Sequence, residues 1–254
     1  MTSRYNAVLN GVSLNSISQK ILILDISYSP TRINYNRYGI AKRKGSRIYQ
    51  QEIDYTDVVV SFAIRAYSVQ ERQTICNAVQ KWAKNGGIFQ TNDRPNQRLR
   101  CVLTSPPTIT SVMRWTDPIS MTFTAYNPPF WEEVTPVTYS MSSNGSGSIY
   151  VPGSVNGSFW EANITPNSST LTNIELTANG NIMTLEGISV AAGSTIKITY
   201  DDYMIQHIAV GSTSLLNKRH GVDDLPVLSG ETNRLQVQAN TASTVVFKAR
   251  GTWL

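Results

Sequence analysis

The side chains best suited to chemistry in this sequence are its two histidines. His207 lies in the alternating segment YMIQHIAV, and His220 lies in the polar segment NKRHGVDD, close to Asp223 and Asp224. A histidine that is oriented by a carboxylate can act as a general base. No serine or cysteine in a nucleophile-elbow setting accompanies the pair, so the sequence predicts no catalytic residues and no enzyme activity.

Metal and cofactor sites are not predicted either. The adjacent pairs 201–202 and 223–224 are aspartates, but neither has the ligand spacing of a calcium loop. Neighbouring residues of a strand also point to opposite faces, which hinders joint ligation. The sequence contains no phosphate-binding loop, no GxGxxG after a strand and no zinc-ligand cluster. We therefore expect no cofactor. We interpret the paired acids as solvated turn residues, and the sequence therefore does not favour hydrolysis of a cell-wall polymer.

The two cysteines, Cys76 and Cys101, are too few for a disulfide framework and do not form a CxxC pair. Free cysteines are commonly buried as small hydrophobic residues, and that is the interpretation we favour. A single bridge between them is left open by the sequence, because it depends on their distance in the fold.

Charge is distributed unevenly along the 254 residues, whose formal net charge is +5. Residues 1–135 contain 16 basic and 9 acidic side chains, a net +7, whereas residues 136–254 contain 6 and 8, a net −2. Such asymmetry predicts two domains with different partners. The basic half could meet nucleic acid or another acidic surface.

The run KRKGSR concentrates this positive charge in Lys42, Arg43, Lys44 and Arg47. It lacks the interleaved aromatic side chains that would stack on bases. The run is flanked by glycines, and it therefore predicts an exposed loop or hairpin tip. We interpret it as a solvated loop or as a loop that docks on an acidic patch of a neighbouring subunit.

The first half predicts strands around one helix. The dipeptide Asn10–Gly11 is a two-residue hairpin signal. A helix is predicted from Ser68, because Glu71 follows three residues later and completes a capping box. Five residues recur at helical spacing and form one apolar stripe: Ile75, Cys76, Val79, Trp82 and Ala83.

The segment FTAYNPPFWEE, residues 123–133, ends this pattern. The alternation of PISMTFTAY predicts a half-buried strand, and Pro128 and Pro129 prevent its continuation. We expect Phe130 and Trp131 to fold back over the core of the first half. The sequence therefore predicts domains at 1–135 and 136–254.

The second half predicts a β-sandwich. About eight short strand segments recur in about 115 residues, separated by turns of small residues, and no persuasive helix is present. Its aromatic side chains are expected mainly between the sheets. Trp160 is the one we single out as a contact for a glycan, under the alternative that this half is a carbohydrate-binding module.

Neither a membrane span nor a secretory signal is predicted. No apolar run approaches the roughly 18 residues that a membrane helix needs, and the first 15 residues contain no continuous apolar segment. We expect the product to remain in the cytoplasm in which it is made.

The order of features in the first half resembles the distal tail protein family of bacteriophages with long, non-contractile tails. A glycine-flanked basic loop precedes DVVVSFAIRA, the helix ERQTICNAVQKWAKNGG, the segment TNDRPNQRLRCVLT and finally PISMTFTAYNPPFWE. The resemblance covers about residues 5–133. The positions that match the family signature are Glu71, Arg72, Trp82, Asp93, Arg94, Pro95, Phe123, Ala125, Pro128, Phe130 and Trp131.

The resemblance implies a structural protein of the virion, assembled in the host cytoplasm and located at the distal end of the tail. It implies a homohexameric ring, or two stacked rings, of β-barrel-like N-terminal domains, each with one helix, around a channel for DNA. Galectin-like or jelly-roll C-terminal sandwiches would project outward. The implied partners are the tail tube protein, the tail-tip hub and receptor-binding or baseplate proteins, with host saccharide as an alternative ligand and no membrane insertion.

Overall fold

The computed structural model describes residues 5–30, 32–39, 46–108, 117–201 and 204–254, with the backbone alone for 35–39 and 46–52. The chain divides into two compact units, Met1–Trp131 with Leu254 and Glu132–Trp253. The division lies four residues before the predicted domain boundary at 135. None of the helices in the described residues is long and apolar enough to span a membrane.

The first unit is built from short strands and two helices. Its helices are Leu14–Ile17 (α1) and Val69–Ala83 (α2). Its strands are Ala7–Leu9 (β1), Val12–Ser13 (β2), Ile21–Tyr28 (β3), Ile33–Gly39 (β4), Ser46–Ile53 (β5), Thr56–Ile64 (β6), Gly87–Thr91 (β7), Gln97–Ser105 (β8) and Ile119–Ala125 (β9), and Trp131–Glu133 (β10) lies at the boundary between the units.

Seven of these strands form one antiparallel path in the order β2-β1-β7-β8-β9-β6-β3. The pair β4 and β5 forms a separate two-stranded hairpin. The mainly β prediction and the predicted helix are confirmed, and α1 is an additional short helix. The predicted two-residue hairpin is confirmed as well, because Asn10 and Gly11 have φ of 51° and 79° between the paired residues Leu9 and Val12.

Alternation along β6 and β9 places the core of this unit. The apolar face that the sequence predicts for β9 is fully buried at Met121, Phe123 and Ala125. Val58 and Val60 of the neighbouring β6 are buried as well. Because a strand exposes alternate residues to opposite faces, a period of two specifies which side of the sheet meets the core.

The second unit is built from strands and the turns between them, and its described residues include one 3₁₀ turn at Leu216–Lys218. Its strands are Val137–Ser142 (β11), Gly145–Val151 (β12), Glu161–Pro166 (β13), Leu171–Ala178 (β14), Asn181–Val190 (β15), Ile196–Tyr200 (β16), Gln206–Val210 (β17), Thr213–Ser214 (β18), Arg219–Gly221 (β19), Glu231–Ala239 (β20), Ser243–Ala249 (β21) and Thr252–Trp253 (β22).

All of these strands except β22 form the predicted β-sandwich. One sheet has the order β11-β21-β13-β16-β17-β18, and the other has the order β12-β20-β14-β15-β19. A single apolar cluster contains buried residues from both sheets, including Ile164 and Phe247 of the first and Leu176, Leu185 and Val237 of the second. The chain passes repeatedly from one sheet to the other, which is why strand spacing alone does not give the strand order.

A buried asparagine holds the turn that precedes β20. Asn233 is 0% exposed; its amide nitrogen donates to the carbonyl oxygen of Leu228 at 2.8 Å, and its oxygen accepts from the Leu228 N–H at 2.8 Å. The same oxygen accepts a hydrogen bond from Asn179 at 2.8 Å, and Asn179 accepts from the backbone N–H of Arg234. A fully satisfied buried amide of this kind fixes one loop conformation.

We predict that Asn233→Ala lowers the free energy of unfolding of the sandwich unit by about 1–3 kcal/mol, because the partly buried N–H and carbonyl of Leu228 lose their partner. Urea denaturation followed by circular dichroism measures this loss. Gln238→Ala is the matched control, since Gln238 is an exposed residue of the same strand. Equal losses in the two variants would contradict the role given to Asn233.

Candidate functional site

The residues that match the family signature lie in the first unit, and several of them belong to two side-chain clusters. One cluster surrounds the start of α2, and the other surrounds Trp131 at the end of the unit. Neither cluster is a cleft with convergent catalytic groups; each fixes the position of one segment of the unit.

The start of α2 is held by reciprocal capping. The backbone N–H of Glu71 donates to the Ser68 hydroxyl at 3.1 Å, as the capping-box prediction requires. The Glu71 carboxylate accepts from the backbone N–H of Tyr67 at 2.9 Å, one residue before the usual position. Lys20 forms an ion pair with Glu71 and lies over the Tyr67 ring, 4.8 Å from its centroid.

These contacts have an electrostatic consequence at Glu71. The hydrogen bond from Lys20, followed by that from the Tyr67 N–H, lowers the pKa of the Glu71 carboxyl below its ordinary value. The Tyr67 side chain itself is 96% exposed. The cluster therefore holds an aromatic ring at the surface instead of burying it.

The other signature residues of α2 face the interior. Arg72 is buried among the apolar side chains of the helix. Trp82 is half-buried; its indole N–H donates to the carbonyl oxygen of Val12 at 3.0 Å, and its ring meets the edge of Phe123 at 6.1 Å. The interpretation of Trp82 as a packing residue is consistent with these contacts.

The second cluster is a stack centred on Arg94. Its guanidinium lies 5.0 Å from the centroid of the Tyr28 ring and 4.8 Å from that of the Trp131 ring. The two rings also contact each other edge to face, with centroids 5.5 Å apart. A planar cation between aromatic faces is favourable when it is partly desolvated, and Trp131 is 1% exposed.

Asp93 completes this cluster from the same turn. The Tyr28 hydroxyl lies 2.7 Å from both Asp93 carboxylate oxygens and 3.0 Å from the Thr91 hydroxyl. Burial raises the pKa of Tyr28. At Asp93 burial acts to raise the pKa, but the hydrogen bonds from Thr91 and Tyr28 outweigh it and lower the pKa of the carboxyl.

Phe130, Pro128 and Pro95 belong to the segments that frame the stack. Phe130 is buried, as the sequence predicts, and Pro128 follows Asn127 through a cis peptide bond. The carbonyl of Pro129 accepts a hydrogen bond from the Thr56 hydroxyl at 2.6 Å. The segment after β9 is therefore packed against its own unit.

The predicted interface loop lies largely outside the described residues. Lys42, Arg43 and Lys44 are not described, and Arg47 is described only through its backbone in β5, opposite Tyr38 of β4. The assignment of these four residues to a subunit interface stays a prediction. Its structural context is the hairpin β4–β5, whose strands flank the loop.

The glycan contact predicted for Trp160 is wrong. Trp160 is 0% exposed, and its ring packs edge to face on Phe247 at 6.0 Å between the two sheets. A ring without exposed surface cannot stack on a sugar. Trp160 immediately precedes β13 and lies outside an alternating strand pattern, so the sequence does not indicate whether it is buried or exposed.

The histidines and paired acids form no catalytic or metal-binding group in the described part of the chain. The imidazole of His207 lies 3.3 Å from the Asp201 carboxylate at an exposed strand end. Asp223 forms an ion pair with Arg219 rather than with His220. No cluster of three or more potential metal ligands occurs among the residues searched.

Both cysteines are free and buried, which confirms the small-hydrophobe interpretation and answers the question of a bridge. The Cys76 sulfur faces the carbonyl oxygen of Pro107, and the Cys101 sulfur faces that of Gly87. Burial raises the pKa of both thiols, to about 12 for Cys101. Thiols with raised pKa values are poor nucleophiles at neutral pH.

The sequence does not reveal the role of Tyr28 or the side-chain contacts of Asn10. Tyr28 ends an apolar strand without a distinctive neighbour, so only the fold shows that it meets Arg94. The sequence predicts Asn10 as a turn residue. Its side chain also donates to the Gly86 carbonyl at 3.0 Å and accepts from the Ile88 N–H at 2.9 Å. It thereby fixes the chain where α2 leads into β7.

We predict that Arg94→Ala lowers the free energy of unfolding of the first unit by about 1–2 kcal/mol, because two aromatic rings lose their cation. Arg94→Lys should lose less, since an ammonium keeps the charge but not the planar contact. Urea denaturation monitored by tryptophan fluorescence measures both. Lys84→Ala, at an exposed position after α2, is the control, and a loss as large as that of Arg94→Ala would contradict the stack.

We predict a pH dependence that originates at Asp93. Its pKa is lowered in the folded state, so its contribution to stability is complete above the unfolded value of about 4 and is lost as the pH falls through the folded value. Unfolding free energies of the wild type and Asp93→Asn should therefore converge between about pH 5 and pH 2.5. A difference that stays constant across this range would exclude the assignment.

Comparison with known proteins shows a likeness at the level of fold. No protein-family model matches the sequence, and no curated protein matches it. The crystal structure of the Dit protein of phage SPP1, described as a paradigm of the hub adsorption apparatus in phages that infect Gram-positive bacteria, matches with a TM-score of 0.70 and 12% identity over 96% of this chain and 98% of that chain.

Two structures of the phage P2 baseplate in its activated conformation, with Ca and with Sr, match less well. Their TM-scores are 0.47 and 0.45 at 10% identity, over 99% and 97% of this chain and 98% and 97% of theirs. These two values are too low to support an argument. The likeness to SPP1 Dit covers both units, and over nearly its whole length the chain therefore has the fold of that protein.

Proposed function

We propose that this protein is a structural component of a phage tail tip, forming a homohexameric ring, alone or as two stacked rings, between the tail tube and the tail-tip hub. The observation that carries the proposal is the likeness to the SPP1 Dit protein, with a TM-score of 0.70 over 96% of this chain. In this role the protein is a scaffold without enzyme activity. Its place is the distal end of the virion, after assembly in the host cytoplasm.

In the proposed assembly, the first unit forms the ring and leaves a central channel through which DNA passes. Its net charge, +7 over residues 1–135, is compatible with contacts to acidic neighbours or with a channel for a polyanion. The sandwich unit, which we propose to be galectin-like, holds baseplate or receptor-binding proteins. The net charge of residues 136–254 is −2, and it favours a different class of partner for this unit.

A closed ring requires two different patches on each subunit. The hairpin β4–β5 supports one of them, because within the described residues its strands pair only with each other. An isolated two-stranded hairpin is marginal in water, and packing against a neighbouring subunit would stabilise it. Lys42, Arg43, Lys44 and Arg47 would then meet that subunit.

The proposal predicts where the protein lies in the virion. Antibodies raised against the purified chain and labelled with gold should decorate the distal end of the tail of the phage that encodes it. The tip is the predicted site because a ring between tube and hub is present only there. Label along the whole tail or at the head would contradict the role, and pre-immune serum is the control.

The hairpin assignment predicts that deletion of residues 40–46 disrupts the ring. We expect light scattering to show a fall from the ring to the monomer, while circular dichroism shows an unchanged fold. The control replaces Ser143 and Asn144 by two glycines, which alters a turn of the sandwich unit. A ring that survives the deletion would remove this loop from the interface.

A further inference from the structure

The outward side of the five-stranded sheet in the sandwich unit carries a continuous set of polar side chains, which we call the polar face. Antiparallel register places Gln236 of β20 between Ser146 of β12 and Thr177 of β14. Two residues further along, Gln238 lies opposite Glu175. The other members of the polar face are Ser148, Arg234, Asn173, Thr184 and Glu186.

Two shallow grooves follow one another along this face. The first, of about 500 Å³, is lined by Ser146, Ser148, Thr177, Arg234 and Gln236 among others. The second, of about 360 Å³, is lined by Asn173, Glu175, Thr184, Glu186 and Gln238 among others. Successive outward residues of a strand are about 7 Å apart, so the two grooves lie one after the other along β20.

The polar groups of this face are available to a ligand. In the part of the chain that the structure describes, the side chains of the polar face form no hydrogen bond or ion pair with the protein. The outward side of the other sheet differs. There, Thr165 bonds Thr195 at 2.8 Å, and Thr244 bonds Asn167 at 3.2 Å.

Asparagines in the flanking turns hold the backbone beneath both grooves. Asn240 accepts hydrogen bonds from the backbone N–H groups of Thr172 and Asn173, at 3.0 and 3.1 Å. Asn144 accepts from the N–H of Ala239 at 3.1 Å, and Asn179 fixes the N–H of Arg234. A site that is held in place before binding loses less entropy when it takes up a ligand.

One exposed aromatic ring lies on the same face, beyond the end of the first groove. Tyr150 lies two residues beyond Ser148 on β12 and opposite Thr232 of β20, on the outward side of the sheet. It is 57% exposed, and among the described residues its ring packs on no other aromatic side chain and on no cation. Its exposed ring is suited to stacking on the apolar face of a sugar.

We propose that the polar face binds a neutral oligosaccharide that lies along β20, with one sugar ring on Tyr150. Hydroxyl and amide side chains both donate and accept hydrogen bonds, as the hydroxyls of a sugar do. Glu175 and Glu186 outnumber the single cation Arg234, so the net negative charge of the face opposes a polyanion, and the polar lining gives little to an apolar ligand. This site is separate from the proposed ring-forming function.

The test uses the full chain and calorimetric titration with cellotetraose, maltotetraose and chitotetraose, with a hyaluronan tetrasaccharide as the anionic probe. We expect at least one neutral tetrasaccharide to bind and the anionic one not to bind. Tyr150→Ala and Gln236→Ala should each weaken the affinity about tenfold, which corresponds to the loss of a stacking contact or of paired hydrogen bonds.

Ser140→Ala is the matched control, since Ser140 is an exposed residue of β11 in the other sheet, and its affinity should equal that of the wild type. Absence of heat with all neutral probes at millimolar concentration would overturn the proposal. Preference for the anionic probe, or binding that both groove substitutions leave unchanged, would overturn it as well. Circular dichroism of each variant excludes a loss of fold as the cause of weaker binding.

Discussion

The contact of Arg94 with Tyr28 and Trp131 is the interaction on which the first unit depends most. It joins three places that are distant in sequence: the end of β3, the turn between β7 and β8, and the segment that follows β9. Pro128 and Pro129 end the ladder, so the chain leaves β9 there, and its next strand, β10, pairs with β8. The stack adds a side-chain restraint to this backbone pairing.

The sandwich unit is held in a different way. Its sheets enclose one apolar cluster, and its turns are fixed by asparagine side chains such as Asn179 and Asn233 that bond to backbone groups. Among the described residues, this arrangement leaves the polar face of the five-stranded sheet without side-chain hydrogen bonds to the rest of the protein. A unit stabilised from within can therefore change its surface residues, and hence its ligands, at little cost in stability.

The sequence predicted the features that depend on local pattern. The capping box at Ser68, the Asn10–Gly11 turn, the buried face of β9 and the sandwich class all follow from short-range rules, and all are present. Features that depend on the order of strands within the sheets could not be predicted. Tyr28 meets Arg94, and Trp160 lies between sheets, only because of a strand order that periodicity does not encode.

The central claim, a ring-forming tail-tip scaffold, is tested most directly by the mass of the native wild-type assembly. Native mass spectrometry at micromolar concentration should give six times the chain mass of 28.1 kDa, or twelve times for stacked rings, because a closed ring buries both of its interfaces. A species of 28.1 kDa that persists at all concentrations would contradict the account.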